Sequence, residues 1–136
     1  MRSQFAVGSL LITVAFASAA LASGDRQPSR QAAAVYLWEP TMIGSTIVQG
    51  PVLFVHDDAK MARGEPCTTV RLFNPGEGPG ETIASFHCIP RRAPVSSKFR
   101  VETRPNTELG FGCVLVEYQF AGDPEAHGMP KPANAH

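Results

Sequence analysis

No excess of charge of either sign marks this chain, since twelve Lys and Arg stand against twelve Asp and Glu. That balance leaves no basic stripe of the kind that grips phosphate backbones, so nucleic acid is not an expected partner. Long apolar runs are as scarce. The one present, FAVGSLLITVAFASAAL from Phe5 to Leu21, is interrupted by Gly8, Ser9, Thr13 and Ser18, and a membrane span prefers about 20 apolar residues. With Arg2 ahead of it and Ala20-Leu21-Ala22 behind, the run reads as a cleavable secretory signal over residues 1–22, with a retained anchor as the alternative. The expected product begins near Ser23, lies in the periplasm or outside the cell, and keeps no stable membrane span.

Helical periodicity is missing from most of the remainder, as are internal repeats and any phosphate-binding loop. Gly76, Gly78 and Gly80 stand among Pro and Glu with no helix following, which removes the context a phosphate cradle needs. No Ser or Cys nucleophile is tied by a motif to a base, so nothing dictates an enzymatic reaction.

What the chain does have is a succession of short β-rich segments separated by Gly and Pro. Val35–Trp38, Thr46–Val48, Val52–His56, Cys67–Phe73, Thr82–Ile89, Lys98–Thr103 and Phe111–Phe120 are the expected strands. Trp38 is expected in the core or at its rim. The last segment, FGCVLVEYQF, has apolar residues on both faces and should lie centrally in its sheet. One helical turn is expected after His56, where Asp57-Asp58 can cap Ala59–Arg63 and Gly64 can stop it. The fold class that follows is all-β: a small antiparallel β-sandwich of the immunoglobulin-like general kind, with a small open barrel as the alternative. The expected organisation is a signal at 1–22, a flexible leader at 23–34, a β domain at 35–122 and a flexible tail at 123–136. Pro90–Pro94 is expected to be a surface connection.

Export to an oxidising compartment makes cysteine pairing an expectation. Between Phe73 and Thr82 lies NPGEGPGE, which reads as a turn. If Phe73 faces Thr82 across it, Cys67 faces Cys88 and His87 faces Thr68. Directly opposed cysteines lie within disulfide range. A Cys67–Cys88 bridge is therefore expected, with Cys113 left as a buried thiol.

Three stretches, FVHDD with KMARGEPC (Phe54–Asp58 and Lys60–Cys67), SFHCIP (Ser85–Pro90), and EYQFAG with EAHG (Glu117–Gly122 and Glu125–Gly128), resemble a group of small secreted bacterial proteins of uncharacterised function. The resemblance covers most of the mature chain. It implies secretion and brings no activity with it.

The functional expectation is a secreted or periplasmic, non-enzymatic β module that binds a protein or small-molecule partner or contributes to envelope structure. The alternative is a copper- or zinc-binding protein using His56 and His87 as metal ligands, gathered with Asp57, Asp58 and Met61 at one end of the sandwich. His127 and the cysteines are also ligand types that these metals accept, and the tail with His127 and His136 offers adventitious binding. Acid–base chemistry by His56 beside Asp57 and Asp58 is a third reading; capping of the turn accounts for those carboxylates more simply.

Overall fold

The computed structural model describes residues 29–131. The expected signal at 1–22 and the end of the tail lie outside the described residues. Eight strands and one helical turn make up the fold: β1 (Arg30–Ile43), β2 (Thr46–Asp57), α1 (Asp58–Ala62), β3 (Thr68–Asn74), β4 (Gly78–Phe86), β5 (Ile89–Arg92), β6 (Arg100–Pro105), β7 (Cys113–Gln119) and β8 (Glu125–Gly128). Among the described residues no helix is long and apolar enough to cross a membrane.

The strands hydrogen-bond in the order β4-β3-β2-β1-β7-β8-β5, with β6 on the free edge of β7. The sheet does not close, so the barrel alternative falls. The strand pairs are antiparallel except one: β1 meets β7 in parallel at Thr41↔Cys113 and Met42↔Val114, which makes the sheet mixed. The pairing of β1 with β2 is irregular between Leu37 and Thr41. Pro40 lies in that interval, where it supplies no ladder donor, and such a break lets one long strand serve two partners.

The two halves of the sheet face each other. Phe54 of β2 and Tyr118 of β7, which are not strand neighbours, hold their ring centroids 5.0 Å apart. The Tyr118 hydroxyl hydrogen-bonds to Thr68 of β3, and both residues are fully buried. The core is sandwich-like, with Val52, Phe54 and Val70 from one half and Leu115, Tyr118 and Phe120 from the other. Along β2 the buried positions Val48, Gly50, Val52, Phe54 and His56 recur every second residue, so one pleat face carries the core and ends on a histidine.

Several expectations need correction. Trp38 is 79% exposed, because the alternation of β1 turns Tyr36 and Trp38 outward while Leu37 goes in. The leader is ordered from Arg30, where β1 begins. Pro90–Pro94 is not merely a connection, since Ile89–Arg92 forms β5, a fully exposed strand at the sheet edge where proline is tolerated. The turn between β3 and β4 is only Pro75–Glu77, with Asn74 opposite Gly78. Two irregularities then leave Thr68 opposite Phe86, not His87.

The tail is also structured as far as β8. Gln119, fully buried, donates from Nε2 to the carbonyls of Pro94 and Asp123, each at 2.8 Å, and Asp123 Oδ1 accepts from the Glu125 amide. These bonds fold the chain back so that β8 pairs with β7 through Glu117↔Gly128, Tyr118↔His127 and Gln119↔Ala126.

Candidate metal centre

His56 lies at the end of β2, opposite Thr68 of β3 and just ahead of α1. Asp57 caps that turn as expected, accepting from the amides of Ala59 and Lys60 at 2.9 and 3.2 Å. The Lys60 amide, followed by that of Ala59, outweighs desolvation and holds the Asp57 carboxyl below its usual range. Asp57 thus acts as a cap. Asp58 accepts from the Ser29 amide and hydroxyl through Oδ2. Its Oδ1 comes within 3.3 Å of His56 Nδ1, but the orientation is not that of a hydrogen bond.

Across the sandwich from His56 stands His127 of β8. Their rings lie 4.1 Å apart, tilted by 32°. The two residues are 0% and 1% exposed, and Tyr118 also stacks on His127, with ring centroids 5.0 Å apart. Cys88, just after β4, completes the group with Sγ 3.6 Å from His127 Nδ1. Donor atoms of His56, Cys88 and His127 all fall within 4.8 Å of one another, and all three residues are buried. A tetrahedral ion bound to imidazole and thiolate would space its ligands by about 3.3 to 3.8 Å. The Cys88–His127 pair already has that spacing, and the remaining distances need to close by about 1.5 Å at most.

The electrostatics act in opposite directions on the two side chains. Burial, reinforced by repulsion from His56, pushes the His127 imidazole down to about 4, so near neutral pH the ring is uncharged and its lone pair is free. Burial, followed by the hydrogen bond with Cys67, pushes the Cys88 thiol up to about 12. A bound cation opposes that rise by stabilising the thiolate. His56 Nδ1, His56 Nε2 and His127 Nε2 are buried without a hydrogen bond to any described residue. Unsatisfied buried polar atoms cost about 1 to 3 kcal/mol each, and native cores seldom leave three together.

Of the two histidines expected as ligands, the structure brings only His56 to this group. His87 is exposed, because Phe86 and Cys88 on either side of it turn inward. His127, assigned by the sequence to an adventitious tail, takes the place given to His87. The one signal that could have placed it is the Gly122-Asp123-Pro124 turn immediately after the strongest strand, which announces a returning strand. Met61 packs against the core.

The expected Cys67–Cys88 disulfide is not formed, although the two residues are brought together. Cys67 and Cys88 are buried free thiols whose sulfurs lie 2.7 Å apart, and the Cys88 amide donates to Cys67 Sγ at 3.2 Å. Cys113 is a buried free thiol on β7, 3.3 Å from the Thr41 hydroxyl. Comparison of the chain with protein-family models, with curated proteins and with solved structures finds no match in any of the three.

Proposed function

We propose that the chain is a small extracytoplasmic β module that binds one copper or zinc ion through His56, Cys88 and His127. The observation that carries this reading is the convergence of three buried donors within 4.8 Å, with neither ring nitrogen of His56 hydrogen-bonded to a described residue. Two imidazoles and a thiolate suit these two metals and suit magnesium or calcium poorly, since the latter favour oxygen ligands. The extracytoplasmic part rests on the signal-like pattern of residues 1–22.

Elemental analysis of protein purified without added metal, followed by titration of the reduced protein with zinc and with copper, tests the reading. About one ion per chain is expected, as for a single site of this donor set. His127→Ala should abolish uptake and His87→Ala should leave it intact, with circular dichroism showing that both variants fold. Absence of saturable uptake, or uptake that depends on His87 and not on His127, would overturn the assignment.

A further inference from the structure

Cys88 has two competing neighbours. On one side its sulfur is 3.6 Å from His127 Nδ1 and belongs to the donor group. On the other it is 2.7 Å from the sulfur of Cys67. Two thiolates on one tetrahedral ion would stand about 3.8 Å apart, so Cys67 is not placed as a fourth ligand beside Cys88. It is placed as a bonding partner for that sulfur.

Cys67 also faces a different environment. It lines a cleft of about 310 Å³ together with Arg30, Lys60 and Arg71, on the outer side of β2 and β3. Arg30, Lys60 and Arg71 outnumber the one carboxylate of the cleft, Asp57, and a net positive cleft suits a small anionic reagent. The Cys88–His127 pair, by contrast, belongs to the closed interior.

We infer that Cys67 and Cys88 form a reversible disulfide that competes with the metal for Cys88, so that oxidation by a small anionic disulfide of the glutathione class, entering at the Cys67 cleft, expels the ion. This rests on the metal reading above. The Cys67 thiolate attacks the reagent RS–SR, giving Cys67–S–SR and releasing RS⁻. The Cys88 sulfur then attacks Cys67 Sγ and displaces the second RS⁻. Two protein thiols are oxidised to one disulfide, and RS–SR is reduced to two RSH. In the metal-free protein both protons come from the cysteines; in the loaded protein the Cys88 proton left on metal binding, and solvent supplies its replacement. The ion loses its only anionic ligand and is left with two neutral imidazoles.

The test uses reduced protein loaded with zinc, which undergoes no redox change of its own, and treats it with glutathione disulfide in the presence of a chromophoric zinc chelator. Free thiols are counted, and linkages are mapped by mass spectrometry. The expected result is loss of one zinc for every two thiols consumed, a Cys67–Cys88 linkage, and recovery of zinc binding after reduction. Cys67→Ser should bind zinc and retain it under the same treatment, while Cys113→Ser should behave as the wild type. Zinc retained after the Cys67–Cys88 linkage forms, release of equal extent from Cys67→Ser, or oxidation that never joins these two residues would each overturn the inference while leaving the metal site standing. A reduced protein that takes up no zinc would sink both.

Discussion

His56 and His127 each bury an imidazole where an ordinary core would place a hydrocarbon ring. Neither ring nitrogen of His56 is hydrogen-bonded to a described residue, and a bound ion would satisfy one of them, which is why the metal reading outranks simple packing. The sequence exposed half of this arrangement. His56 ends an apolar run at a strand terminus and was legible as a candidate. His127 was not, because the residues that fold the tail back are a buried glutamine and an aspartate, Gln119 and Asp123, and hydrogen bonds of that kind leave no apolar periodicity to read. His87 looked equivalent to His56 until the pleat of the chain around Phe86 and Cys88 turned it outward. A different buried polar residue supplies a pH prediction. Glu117, 7% exposed, receives Arg91 at 3.1 and 2.5 Å and Arg100 at 3.1 Å. The Arg91 hydrogen bond, against the opposing effect of burial, holds the carboxyl below its ordinary 4.5. A depressed carboxyl contributes stability that is complete above the unfolded value and is lost as pH falls through the folded one. The Arg91 and Arg100 side chains are 55% and 41% exposed, and solvent screening limits the contribution to about 1 kcal/mol. Glu117→Gln should therefore lower stability by that order at pH 7, and the gap from wild type should narrow in acid denaturation below pH 4.5. A gap that is constant with pH would contradict the assignment.

At the scale of elements, the strands were legible because period-two alternation and Gly–Pro punctuation act locally. The pairings were not. The β3–β4 turn tightened to Pro75–Glu77, and its irregularities shifted the expected opposition of Cys67 and Cys88 although their sulfurs still meet. The join between β1 and β7 likewise depends on a contact that no local pattern encodes. Gly112 has φ +68°, and a Cβ there would lie 2.3 Å from the Pro40 carbonyl oxygen. Gly110, at φ +73°, would meet nothing within 4 Å. Gly110→Ala should cost only the backbone conformational penalty, about 1 kcal/mol. Gly112→Ala adds a collision with main chain that cannot rotate away, and should cost at least about 2 kcal/mol. Urea unfolding of the two variants checks this, and equal midpoints would show that the approach of β7 to Pro40 is not a constraint.

For the whole molecule, the all-β class and the sandwich-like packing were legible from the number of strands and the near absence of helix. The sheet order was not, since a bent strand that pairs antiparallel at one end and parallel at the other is set by tertiary contact. That order matters to function: β2 and β8 are not neighbours in the sheet, and only the facing of its two halves sets His56 against His127. The proposed centre is thus a property of the packed sandwich, and its candidate ligands come from three separate parts of the chain. X-ray absorption at the zinc edge of the reduced, zinc-loaded protein reads that centre directly. The predicted inner shell contains two imidazole nitrogens at about 2.0 to 2.1 Å and one sulfur at about 2.3 Å. A shell of oxygen and nitrogen alone, with no sulfur, would contradict the assignment of Cys88 and with it the proposed site.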